Sequence, residues 1–213
     1  MIVRHMLTTA VVLSIFAIVG TGLVAFTYTK TENRIAINAR EALVRKLNAM
    51  VPPSIHDNDM ATDTITVTSK ELLGSAKPVT VYRARQGGNP VAVIFSPVAP
   101  DGYSGNITLL VAIGYQGNIL GVRVVSHRET PGLGDPIEIE RSNWIEGFTG
   151  RTLSNPGDLG WHVRRDGGEF DQFTGATITP RAVVKAVYNS LQYFESHRDE
   201  LFASSTGAPG EQP

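Results

Sequence analysis

From Met6 to Thr29 the chain carries no charged side chain. This run constrains the fold more than any other feature. It contains Val11, Val12, Leu13, Ile15, Phe16, Ile18, Val19, Leu23, Val24 and Phe26. About 20 apolar residues in a helix cross a hydrocarbon core of about 30 Å, so residues 1–29 are expected to form a membrane anchor. A cleaved signal peptide has a shorter apolar region and a small-x-small cleavage site, and Gly22-Leu23-Val24-Ala25-Phe26 makes a poor one. A buried helix of a water-soluble protein would carry a polar face, which this run lacks. Only Arg4 and the amino terminus precede the span, whereas Lys30, Arg34, Arg40, Arg45 and Lys46 follow it. The positive-inside rule alone would put the following domain in the cytoplasm, but long domains translocate largely regardless of charge. Local charge therefore leaves the side open.

Residues 30–60 read as a linker. Ile35, Ala39, Ala42, Leu43, Leu47 and Met50 recur at helical spacing over Asn33 to Met50, Pro52-Pro53 stops that helix, and a polar loop follows. Residues 61–200 read as one domain. Thr64 to Thr68 alternates as a strand. Gln86-Gly87-Gly88-Asn89 and Gln116-Gly117 each separate two strand-like runs, which predicts two hairpins. Leu109 to Ile113 is apolar without alternation and is expected to be buried on both faces. A short helix is expected over Ser142 to Phe148 and a longer one from Thr179 to about Ser196, with Thr179 as N-cap and Pro180 in the first position. Residues 201–213, rich in Ser, Gly and Pro, are expected to be a disordered tail. The fold class is α+β: an apolar N-terminal helix, then an antiparallel-rich sheet with flanking helices.

Composition removes several kinds of chemistry. With 19 Lys plus Arg against 20 Asp plus Glu there is no basic excess, which argues against a nucleic-acid partner. With no cysteine, the chain alone provides no disulfide, thiolate nucleophile or iron–sulfur ligation. No histidine pair has helical metal-site spacing, His127-Arg128-Glu129 reads as a strand end rather than a metal site, and no metal is expected. Gly102-Tyr103-Ser104-Gly105 precedes a strand and so is not a nucleophile elbow; no catalytic residue is assigned.

Two segments stand apart. Glu129-Thr130-Pro131-Gly132-Leu133-Gly134 follows a strand, and its glycines let backbone approach a flat ligand or simply turn the chain. Asp171-Gln172-Phe173-Thr174-Gly175-Ala176-Thr177-Ile178-Thr179-Pro180 sets small residues before a helix start, where free N–H groups and the positive dipole end favour a phosphate. The competing reading is that the threonines only offer capping hydroxyls.

Asp171-x-x-Thr174-Gly175-Ala176-Thr177 resembles the D-x-x-(S/T)-G-A-T signature of proteins that carry FMN covalently on threonine. With the Glu129–Gly134 segment and the anchor, nearly the whole chain resembles the RnfG/RsxG family, the G-subunits of the Rnf/Rsx ion-translocating electron transport complexes. By the same resemblance, the C-subunit of the sodium-pumping NADH:quinone oxidoreductase would be a functional relative. The resemblance implies FMN joined to Thr177 by a phosphoester. It also implies that Asp171, Thr174, Gly175 and Ala176 form the recognition segment of a flavin transferase and part of the phosphate cradle. Glu129, Thr130, Gly132, Leu133 and Gly134 would approach the isoalloxazine ring. It further implies an electron-carrying subunit whose partners are the membrane, iron–sulfur and flavin subunits of the complex. Because the transferase acts outside the cytoplasm, the domain is expected on the periplasmic side of a bacterial inner membrane. The alternatives are an anchored non-redox binding or assembly module and an FMN-binding sensory domain.

Overall fold

The structure, a computed structural model, describes residues 2–203. The chain divides after Val44 into two units. Helix α1 runs unbroken over Ile2–Met50, so no break separates anchor from linker helix at residue 29. In the first unit α1 is long and apolar enough to cross a membrane. Within it the hydroxyls of Thr9, Ser14 and Thr27 donate to the carbonyls of His5, Ala10 and Leu23 at 2.8–2.9 Å. Such back-bonding lets Ser and Thr sit in an apolar helix without an unsatisfied hydroxyl.

The second unit is built on an antiparallel sheet of β1 (Thr64–Ser69), β2 (Ser75–Gln86), β3 (Asn89–Phe95), β4 (Val98–Ala99), β5 (Ile107–Gly114) and β6 (Ile119–Ser126). Both expected hairpins form. Gly87 and Gly88, at φ +55° and +80°, make the β2–β3 turn whose twist matches its strands. Gly117, at φ +84°, turns β5 into β6. Strand β4 was not legible in the sequence. It continues β3 past Ser96-Pro97 in one register, because Phe95 faces Val111 and Val98 faces Thr108 on the same strand β5. Proline cannot donate to a ladder, so its place is at the break.

Strand β5 is buried on both faces, as its unbroken apolar run predicts. Leu109, Val111 and Ile113 join the main core with Val93, Phe95 and the inner face of helix α2 (Ile178–Phe202). Ala112 lies on the other face, where its β6 partner Gly121 has room because it is glycine. A Cβ there would stand 3.2 Å from the Met50 side chain. Leu47, Met50 and Val51 are buried, so the last turns of α1 belong to the folded domain rather than to a linker.

Helix α2 differs from expectation at both ends. Its N-cap is Thr177, not Thr179, and Pro180 takes the third position instead of the first. The first-turn N–H groups have no intrahelical acceptor, so a proline anywhere in that turn costs no helical bond. At the other end α2 runs to Phe202, with non-helical dihedrals at His197. Leu201 and Phe202, expected in a disordered tail, are buried. Residues 204–213 of that tail lie outside the described residues. The guanidinium groups of Arg83 and Arg85 donate to the carbonyls of Ala203 and Phe202 at 2.9 and 3.1 Å, and Asp63 bridges both arginines. Cations at the C-terminal carbonyls stabilise the helix end.

Between β6 and α2 the chain is irregular. The expected short helix is a 3₁₀ segment, Asn143–Phe148, capped by the Ser142 hydroxyl. Aromatic rings replace regular structure: Phe170 lies 4.6 Å from Phe148 and 5.1 Å from Trp161, and Trp144 lies 5.1 Å from Phe173, centroid to centroid. These contacts carry the chain up to the turn at 173–176.

Met50→Ala should lower the domain's unfolding free energy by about 2–5 kcal/mol, because Met50 fills the second face of the sheet. Urea unfolding of the full chain in detergent, followed by Trp144 and Trp161 fluorescence, measures it.

Candidate functional site

Three segments close a cleft of about 400 Å³ at the start of α2, a size within the range of small-ligand sites. The first is the turn between β4 and β5, which presents Tyr103. The second is the loop leaving β6. Its Thr130 carbonyl accepts the N–H groups of Leu133 and Gly134 at 3.1 and 2.9 Å, folding the loop on itself. Gly132, at φ +77°, donates its N–H to the buried Asp135 carboxylate at 2.6 Å. Leu133 is left 45% exposed with its side chain on the cleft.

The third segment is Asp171–Thr177 with the first turn of α2. The Ala176 N–H donates to the Phe173 carbonyl at 3.1 Å, and Gly175 takes the third position of that turn at φ +81°, where a side chain would be strained. A Cβ built on Gly175 would stand 3.6 Å from Leu133 Cδ2, so the two segments singled out in the sequence meet here.

Seven of the residues expected at the site line the cleft together: Glu129, Thr130, Leu133, Gly134, Gly175, Ala176 and Thr177. Three do not. Gly132 shapes its loop from behind, Thr174 is exposed at the tip of the turn, and Asp171 points its carboxylate to the surface, 3.1 Å from Arg164 and 63% exposed. The main-chain carbonyl of Asp171 is pinned by Trp144 Nε1 at 2.8 Å.

The threonines now separate by role. Thr179 is fully buried and its hydroxyl donates to Glu129. Thr177 is the N-cap, yet its side chain makes no capping bond. The capping-hydroxyl reading therefore fails at both positions. Thr177 lies at a helix start whose first N–H groups have no intrahelical partner, a setting that favours an anion.

Arg165, Arg181, Tyr103, Ile178 and Thr179 also line the cleft and were not anticipated. Arg181 is legible in retrospect, being one helical turn after Thr177. Tyr103 lies in the Gly102–Gly105 segment already noted for its glycines. The Arg181 guanidinium grips Asp166 through two bonds of 2.5 and 2.6 Å. That pairing holds the Asp166 carboxyl below the usual carboxylate range and raises Arg181 above its own. Arg165 forms no ion pair among the described residues, and its charge adds to that of Arg181 in holding the Asp166 carboxyl low.

His127, outside the cleft lining, accepts the Glu129 N–H at Nδ1 (3.0 Å) and so carries its proton on Nε2, which donates to Glu138 at 2.9 Å. Small residues, a free hydroxyl, two arginines and the exposed apolar surfaces of Tyr103, Leu133 and Ile178 fit an anionic, flat, aromatic group such as FMN.

Comparison with known proteins agrees with that geometry. The sequence profile of the FMN-binding domain matches residues 102–192, which contain both motif segments and the cleft. The profile of the RnfG N-terminal region matches residues 1–50, the extent of α1. The chain is 50% identical over 205 residues to the ion-translocating oxidoreductase complex G-subunit of Pseudomonas aeruginosa, covering 96% of each chain. It is 47% identical over 190 residues to the G-subunit of Vibrio cholerae, covering 89% of this chain and 90% of that one. It is 43% identical over 198 residues to that of Shewanella baltica, covering 93% of each. With identity at this level along almost its whole length, the chain belongs to the G-subunit family of ion-translocating oxidoreductase complexes.

Proposed function

We propose that the chain is an electron-carrying subunit of a membrane-bound ion-translocating redox complex, with FMN attached to Thr177 by a phosphoester. The observation that carries this reading is the Thr177 hydroxyl. It opens into the cleft without a capping role, where the Asp171–Thr177 and Glu129–Gly134 segments meet. When bound, FMN supplies the redox chemistry; the protein supplies attachment, orientation and electrostatics.

Each part of the cleft has a task in this reading. The phosphoester replaces the Thr177 hydroxyl proton and keeps a negative charge, which the α2 N-terminus, Arg165 and Arg181 stabilise. Leu133, Tyr103 and Ile178 offer apolar surface to the ring system. In this reading Asp171, whose carboxylate is exposed beside Arg164, serves recognition by a flavin transferase. Covalent attachment suits a flavoprotein on the periplasmic side, where lost FMN is not replaced. The partners are the other subunits of the complex, and α1 holds the chain in the inner membrane.

Co-expressed with a flavin transferase, the full chain should give a yellow-fluorescent band on a denaturing gel and an intact mass raised by one FMN minus water. Thr177→Ala should abolish both. A wild-type protein that releases all its flavin on denaturation refutes the attachment. Asp171→Ala should fold normally and fail to load, as judged by the same band; full loading would refute its recognition role. A reporter fused to the C-terminal end should be active only in a form that works after export, and activity of a cytoplasm-only reporter overturns the periplasmic placement.

A further inference from the structure

Glu129 is buried at the cleft, 4% exposed, and forms no ion pair among the described residues. Oε1 accepts the Ser104 N–H at 2.9 Å. Oε2 accepts the Tyr103 N–H at 3.3 Å and the Thr179 hydroxyl. An ionised carboxylate only accepts hydrogen bonds, and here protein donors occupy both oxygens. Two glycines make the seat. A Cβ on Gly134 would stand 2.8 Å from Glu129 Cβ and 3.2 Å from Oε2, and one on Gly102 would stand 3.1 Å from Oε1.

The three donors come from two segments, and Glu129 sits on the third. Tyr103 and Ser104 belong to the turn before β5, Thr179 to the first turn of α2, and Glu129 itself to the loop after β6. The β5–β6 ladder ends at the Thr108–Ser126 pair, before either segment reaches the cleft. Beyond that point the carboxylate ties together segments that no strand pairing holds.

We propose that Glu129 is a positioning residue, a brace that sets the separation of the three cleft walls and thereby the placement of Thr177, rather than a group that touches the flavin ring. This rests on the cleft's being the FMN seat, and one arm of the test is independent of that reading.

Hydrogen exchange on the full chain in detergent, made in a host without flavin transferase, supplies that arm. Thr179→Val removes the hydroxyl at nearly constant shape. Amides of residues 102–105, 130–135 and 178–182 should then exchange about tenfold faster, all three segments together. Thr179→Ser should restore the wild-type rates. Glu129→Gln retains an acceptor for Ser104 and should give the same three-segment pattern at about threefold. That variant decides the matter if Thr179→Val does not fold. Acceleration confined to the α2 start, or none, overturns the brace. In the flavin-loaded protein, Thr179→Val should change the visible circular dichroism of the flavin while leaving the far-ultraviolet spectrum unchanged. Lower stability with an unaltered flavin band would mark the bond as merely structural and overturn the proposal. A wild type that never acquires covalent flavin would refute the attachment at Thr177 while the exchange data still decide the brace.

Discussion

Burial of strand β5 on both faces is the constraint from which the rest of the domain follows. A strand with Leu109, Val111 and Ile113 on one side and Leu110 and Ala112 on the other needs two covers. Helix α2 provides one, and the end of α1, through Met50, provides the other. Strand β5 is also flanked on both edges, by β3 and β4 in one line and by β6. Its N-terminal end therefore gathers the turn at 102–105, the loop after β6 and the start of α2. The cleft forms where these converge.

The functional segment reaches that place without regular structure. From Thr149 to Thr177 the chain has only short 3₁₀ turns and isolated bridges. Aromatic packing does the positioning: Phe148, Trp161 and Phe170 form a stacked group, and Trp144 joins them to Phe173 while its Nε1 holds the Asp171 carbonyl. An irregular backbone leaves Thr174 and the Asp171 carboxylate exposed while Thr177 lines the cleft.

Charge around Thr177 is arranged in two grades. Arg181 shares its charge with Asp166 through two hydrogen bonds. Arg165 forms no ion pair among the described residues, and the α2 dipole adds to its charge. The result favours one negative group at the helix start. The buried Glu129 carboxylate is held by main-chain N–H groups and a hydroxyl instead of a cation.

Patterns with a local cause were legible in the sequence. The uncharged run of α1, the alternation of β1, the Gly87-Gly88 and Gly117 turns and the doubly buried β5 all follow from patterns within one element or turn. The motif at Asp171–Thr177 was legible too, through its likeness to a known signature. What the sequence left open was set by partners distant along the chain. Strand β4 exists because β5 offers it a continuous edge past Pro97. The last turns of α1 are core because Gly121 leaves space for Met50, and α2 reaches Phe202 because Arg83 and Arg85 hold its final carbonyls. Three threonines look equivalent in a string. Only the tertiary structure gave Thr179 to Glu129 and left the Thr177 hydroxyl free, because a hydrogen-bond partner is chosen by proximity in space rather than by position along the chain.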